Sequence, residues 1–199
     1  MSDDRRTRLT PDERRAQLVG AGVNFLRDHP LDELTMDELA ARAGVSRALL
    51  FHYFETKQGM HRAVVTTARD SLLTATAPDP TLAPHARIHD TLLRICAFVR
   101  EHGGTFYSLV RGVASGDHTV RTVVDESRAI NAQHLLEAFV EVGESDTPTL
   151  RLALRSWVAF AEETLVEHVV GQTPELEPLV HFLEQTLAGV VTAARDSHL

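Results

Sequence analysis

Six times along this chain a serine or threonine stands just ahead of a segment with helical period: Thr10, Thr35, Ser46, Thr56, Thr147 and Thr173. A hydroxyl at such a position accepts from an amide that the first helical turn leaves without a partner, so each one predicts a helix start. The period-two alternation and the β-branched runs of strands are almost absent. The chain therefore reads as all-α.

Thr10-Pro11-Asp12-Glu13 combines an N-cap hydroxyl, proline at the first helical position and glutamate at the third. It predicts a capping box and a helix to about Asp28, with Leu18, Val19, Gly22, Val23, Phe25 and Leu26 on its buried face. His29-Pro30 breaks that helix, because the residue before proline is pushed out of the α region. A second capping box is expected at Thr35 to Glu38, with Leu34 and Leu39 as a hydrophobic staple across it. Gly44 ends this second helix, Ser46 caps a third over Arg47 to Phe54, and Thr56 caps a fourth to about Thr74. Three prolines between Ala77 and Pro84 mark a loop, read as the seam between front and back. Beyond it, helices are expected from Ile88 to Gly103-Gly104, and over Thr105 to Ser115, Asp117 to Val142, Thr149 to Val170 and Glu175 to Ala194. Thr147-Pro148 and Thr173-Pro174 open the last two.

The 199 residues, 43% hydrophobic and 24% charged, suffice for one domain or two small ones and exclude intrinsic disorder. No apolar run of about 18 residues occurs, and the charged start lacks a signal-peptide core, so a cytoplasmic protein without a membrane partner is expected. The single Cys96 precludes an intrachain disulfide, and no zinc-ligand spacing or cofactor motif is present. A net charge of −8 argues against nucleic acid, but its distribution reverses that argument. The first sixty residues are nearly balanced, 9 basic against 10 acidic, and the acidic excess lies behind them. Arg5, Arg6, Arg8, Arg14 and Arg15 form a small basic arm.

The most specific stretch is Thr35 to Lys57, TMDELAARAGVSRALLFHYFETK. Two short helices joined by a tight glycine turn make a helix-turn-helix. Ala40 is small where the helices cross, Val45 plugs the space under the turn, and Leu39, Ala43, Leu50 and Phe54 face inward. Arg47, at the start of the second helix, can reach guanine O6 and N7 bidentately, and Ala48 is short enough to meet a thymine methyl. His52 and Tyr53 can reach base edges or phosphates, while Thr35 and Lys57 stand at helix N-termini that favour an anion.

In its order of Thr-capped helix, Gly-Val-Ser turn, aromatic recognition helix and following lysine, this segment resembles the DNA-binding domain of the TetR/AcrR family of bacterial transcriptional regulators. The resemblance implies a DNA-binding domain over 1–58, an effector-binding and dimerisation domain over 59–199, and a double-stranded operator touched by Thr35, Ser46, Arg47, Ala48, Phe51, His52, Tyr53 and Lys57. The family usually has tyrosine where Phe51 stands, so one phosphate-reaching hydroxyl is missing here. The resemblance also implies a homodimer through the last two helices. Those helices carry apolar residues widely: Leu150, Leu154, Trp157, Val158, Ala161, Leu165 and Val169 in one, Leu176, Leu179, Val180, Leu183, Leu187, Val190 and Val191 in the other. It further implies a small-molecule pocket, for which Phe98, His102, Phe106, Tyr107, Val110, Arg111, His134, Trp157 and Phe160 are the candidate lining.

Enzyme readings are weaker. Cys96 and His102 lack a third group to orient them, His85 and His89 lack a third metal ligand, and Glu162, Glu163 and Glu167 read as a solvated face. The expectation is a ligand-responsive homodimeric repressor, neither an enzyme nor a metalloprotein. The alternative is a helical binding or adaptor protein without DNA affinity, which would show no salt-dependent DNA binding.

Overall fold

The computed structural model describes residues 9–112, 118–170 and 175–197. Among these residues the chain forms nine α-helices and one short 3-10 turn, and no strand. The helices are α1 Pro11–Phe25, α2 Met36–Ala43, α3 Arg47–Phe54, α4 Lys57–Ala75, α5 Pro84–Glu101, α6 Gly103–Gly112, α7 His118–Glu141, α8 Pro148–His168 and α9 Leu176–Asp196. The 3-10 turn, Leu31–Glu33, lies between α1 and α2.

Hydroxyl caps set the helix starts as the chemistry requires. Thr10, Thr35, Ser46, Thr56 and Thr147 each accept from the amide three residues on. At Thr10 the box is reciprocal, with the Glu13 carboxylate taking the Thr10 amide at 2.8 Å. At Thr35 it is only half made, because the Glu38 carboxylate accepts from Arg42 Nε at 2.6 Å one turn away. An i,i+4 ion pair has taken the group that the capping box needed. Leu34 and Leu39 are both fully buried, as a staple requires. Thr173-Pro174, Ser115, Asp117 and the arm residues Arg5, Arg6 and Arg8 lie outside the described residues.

Two boundaries differ from expectation. α1 stops at Phe25, and the chain turns through Leu26 to His29 ahead of Pro30. Gly103 and Gly104 begin α6 instead of only closing α5. The reason is tertiary: a Cβ on Gly104 would lie 1.9 Å from the Arg27 carbonyl oxygen, so glycine alone allows α6 to dock on the end of α1.

The helices enclose two apolar cores. The front core gathers Leu18 and Phe25 of α1 with Leu26 just after it, Leu39 of α2, Leu50 and Phe54 of α3, and Met60, Val64, Val65 and Ala68 of α4. Leu109 of α6 and Val120 and Val123 of α7 also enter it. The back core gathers α5, α7, α8 and α9, with Leu72 from the end of α4. Along α4 the buried residues pass from the front core to the back core between Ala68 and Leu72, ahead of the proline loop. Thr76 and Pro78, at the start of that loop, line a cavity in the back part.

Candidate nucleic-acid interface and inner cavity

α2 and α3 meet at Gly44, whose left-handed backbone (φ 64°, ψ 36°) lets the Val45 amide return to the Ala40 carbonyl at 3.0 Å. Glycine adopts this conformation at no steric cost. Ser46 Oγ then accepts from the Leu49 amide and starts α3. Leu50 and Phe54, one turn apart, pin α3 to the front core. The opposite face presents Arg47, Ala48, Phe51 and His52, all exposed and spaced as one side of a helix. Tyr53 is half-buried, and its ring meets the edge of His52 at 5.3 Å. Thr35 and Ser46 stand exposed at the starts of α2 and α3, and Lys57 is half-buried at the start of α4. The eight residues read from the sequence thus gather on α3 and the helix starts beside it.

Two of these side chains are held by contacts that the sequence does not reveal. Arg47 Nη1 donates to both carboxylate oxygens of Asp37, at 3.1 and 3.2 Å, and its guanidinium lies over the Phe51 ring at 5.4 Å. Lys57 Nζ donates to the Asp32 carbonyl at 3.2 Å. Asp37 is ten residues before Arg47, a separation at which no helical spacing links the two.

Behind this face, α4, α5, α6, α7 and α8 surround a cavity of about 90 Å³. Of the residues singled out in the sequence, Phe106, His134 and Trp157 line it. The other candidates stand elsewhere. Val110 borders a smaller adjoining hollow. Phe98 packs against His102, with ring centroids 4.5 Å apart, outside the cavity wall. Tyr107 is exposed, and the Arg111 guanidinium is drawn outward to Glu163 and Glu167 at 2.7 and 2.9 Å. Phe160 points to solvent and meets Phe182 of α9, with ring centroids 6.0 Å apart. Periodicity places these residues on helices but does not rank one half-apolar face against another.

The cavity wall holds polar groups that sequence reading missed. Ser127, Asn131 and His134 form one stripe of α7, and Thr91 faces in from α5. The Thr91 hydroxyl is buried with no hydrogen-bond partner in the protein. Glu162, expected on a solvated face, instead lines the cavity and accepts from Arg128 Nε at 2.7 Å. Burial raises its carboxyl pKa from the ordinary 4.5, against the opposing pull of Arg128. Arg87 donates to Glu141 at 2.8 Å and to the Leu82 carbonyl at 3.1 Å.

No group of three or more His, Cys, Asp or Glu among the described residues is placed to hold a metal. His89 pairs with Glu184 across the α5–α9 contact, at 3.0 Å. Burial pushes the Cys96 thiol up to about 11, which leaves it protonated and unreactive near neutrality. No helix among the described residues is long and apolar enough to cross a membrane.

Comparison with known proteins agrees with this arrangement. The profile of bacterial regulatory proteins of the tetR family matches residues 18–64, and that of the tetracyclin repressor-like C-terminal domain matches residues 84–190. A tetR-family transcriptional regulator of Streptomyces coelicolor is 30% identical and superposes with a TM-score of 0.77, covering 94% of this chain and 83% of that one. An HTH-type regulator of Mycobacterium bovis is 27% identical over 189 residues, 90% of this chain and 89% of its own. The transcriptional activator FasR of Mycolicibacterium smegmatis is 39% identical over 69 residues, 35% of this chain and 32% of its own. The nucleoid occlusion factor SlmA of Haemophilus influenzae is 33% identical over 99 residues, 48% and 45% respectively. The match thus spans less than half the length of FasR and of SlmA. With an exposed recognition helix in front, a walled cavity behind, and both halves matching profiles of one kind, the chain belongs to the TetR family of transcriptional regulators.

Proposed function

We propose that the protein is a homodimeric repressor that grips a palindromic operator with one α3 from each protomer and releases it when a small molecule enters the cavity. The observation that carries this reading is the face of α3, which exposes Arg47, Ala48, Phe51 and His52 while Leu50 and Phe54 anchor the helix. In this reading residues 1–58 carry the DNA contacts and residues 59–199 the ligand and dimer contacts, in the cytoplasm where the DNA lies.

The dimer is supported by the outer faces of α8 and α9. Leu152, Ser156 and Phe160 recur every four residues on an exposed stripe of α8, and Pro178, Phe182, Gln185 and Gly189 form an exposed stripe of α9. Two aromatic rings side by side in water are costly unless a partner covers them. A second copy also doubles the DNA contacts and matches a two-fold operator.

Release is supported by α4, which places Met60, Val64 and Val65 in the front core and Leu72 at the cavity. A ligand that shifts this helix changes the spacing of the two recognition helices. Coupling of this kind is reciprocal, so operator DNA must weaken ligand binding by the same factor, typically about 5- to 150-fold.

Selection of bound sequences from a random duplex pool tests the reading. Two inverted half-sites about one helical turn apart are expected. A reporter gene placed behind the recovered site should fall silent in the presence of the protein. Failure to enrich any sequence would favour the adaptor reading, and activation of the reporter would refute repression.

A further inference from the structure

The cavity has two kinds of wall. α8 contributes Trp157, Val158 and Leu165, and α7 faces them with the stripe Ser127, Asn131 and His134. Both formally charged residues at the wall, Arg87 and Glu162, are already engaged, by Glu141 and Arg128. A charged ligand would lose its hydration and find no free counter-charge among them, a cost of several kcal/mol in such surroundings. A pure hydrocarbon would leave the Thr91 hydroxyl as it stands, buried without a protein partner.

Resting on the reading above that the cavity takes an effector, we infer that its ligand is an uncharged, mostly apolar small molecule with one hydroxyl or carbonyl group, its polar end on Thr91 and the Ser127–Asn131–His134 stripe and its apolar end against Trp157. A hydroxyl suits this wall because it both donates and accepts, and the wall offers threonine and serine hydroxyls, an amide and an imidazole. The size is bounded as well. About 90 Å³ is several times the volume of one water, and it is less than the roughly 150 Å³ of an apolar cavity that takes up benzene.

The chain's one tryptophan, Trp157, lies in the wall and reports occupancy directly. The full-length protein without DNA is titrated with 1-alkanols from ethanol to pentanol and with the matching carboxylates and alkylammonium salts, following Trp157 fluorescence and thermal midpoint. The alkanols are expected to shift the emission and raise the midpoint, at least 10-fold more tightly than either charged series. Thr91→Val should weaken the best alkanol by roughly 5-fold, one neutral hydrogen bond. The same variant, freed of an unpartnered hydroxyl, should melt about 2–4 °C higher when unliganded. Asn131→Leu provides a second polar-wall variant, with the same loss of alkanol affinity expected.

Tighter binding of carboxylates or amines than of alkanols would overturn the inference, and so would alkanol affinity unchanged in both variants. A second arm measures release of the selected operator. Alkanols that bind with the expected preference but leave DNA bound would uphold the ligand class and refute ligand-driven release. Release by a charged series alone would uphold release and refute the ligand class.

Discussion

At the scale of single residues the DNA-facing surface is decided by partnerships. In the proposed reading Arg47 faces base edges, yet the Asp37 carboxylate already engages its guanidinium. The pair is exposed on both sides and contributes little to stability, so its consequence is orientation. Arg47→Ala should lose about 1–3 kcal/mol of discrimination at one base pair per half-site. Asp37→Ala should leave folding unchanged and bind random DNA more tightly, because a negative charge leaves the face. The ratio of operator to random affinity should drop roughly 3- to 10-fold as Arg47 loses its support. Filter binding on both duplexes checks the pair, and an unchanged ratio in the Asp37 variant would mean that the contact does not position Arg47. Lys57 acts differently in this scheme, since it can exchange the Asp32 carbonyl for a phosphate. Lys57→Ala should weaken all duplexes alike and lower the slope of log affinity against log salt by about one.

At the scale of elements, close approach and burial decide how the helices sit. The Gly104 Cβ position is filled by backbone, the Arg27 carbonyl, which cannot swing aside as a side chain would. Gly104→Ala should destabilise the chain by about 2–3 kcal/mol even though alanine favours a helix. Gly20, with open space beside it in α1, is the control, and Gly20→Ala should gain about 0.5–1 kcal/mol. Urea midpoints of the two variants should move in opposite directions. On α8, burial makes the folded chain hold the Glu162 proton more tightly than the unfolded chain does. The folded state then binds more protons just above the ordinary glutamate value of 4.5, so this group's contribution to stability declines as pH rises from there. Glu162→Gln has no such dependence. The melting temperature of the variant minus that of the wild type should therefore grow between pH 4.5 and 8, and a constant difference in calorimetry would show that Arg128 fully compensates the buried charge.

At the scale of the whole molecule, the two cores share α4 and exchange contacts through α6 and α7. A change at the cavity therefore has a packed route to α3. The dimer proposed above depends on the outer aromatic pair, which is not needed to close either core. Phe160→Glu with Phe182→Glu should leave the helical content intact and yield a monomer by sedimentation. Operator affinity should fall by about 100-fold or more, because the second half-site is no longer held at high effective concentration. A double variant that remained a dimer would place the interface on another face, such as that of exposed Val140 and Val142.

Features that one or two helical turns decide are legible in the order of the residues. Thr10, Thr35, Ser46, Thr56 and Thr147 cap where their hydroxyls predicted, Gly44 turns the chain, and Leu50 and Phe54 bury the inner side of α3. The caps and the turn join residues three to five apart, and Leu50 and Phe54 stand one helical turn apart, so local order marks all of them. Tertiary structure decided the rest. Glu162 reaches Arg128 from 34 residues away, and Arg111 reaches Glu163 from 52, which turns one acidic group inward and draws one cavity candidate out. Phe160 and Trp157 lie three residues apart on α8, yet one faces solvent and the other the cavity. A helical period shows that a helix has an apolar side; which neighbour covers that side is settled only when the helices pack.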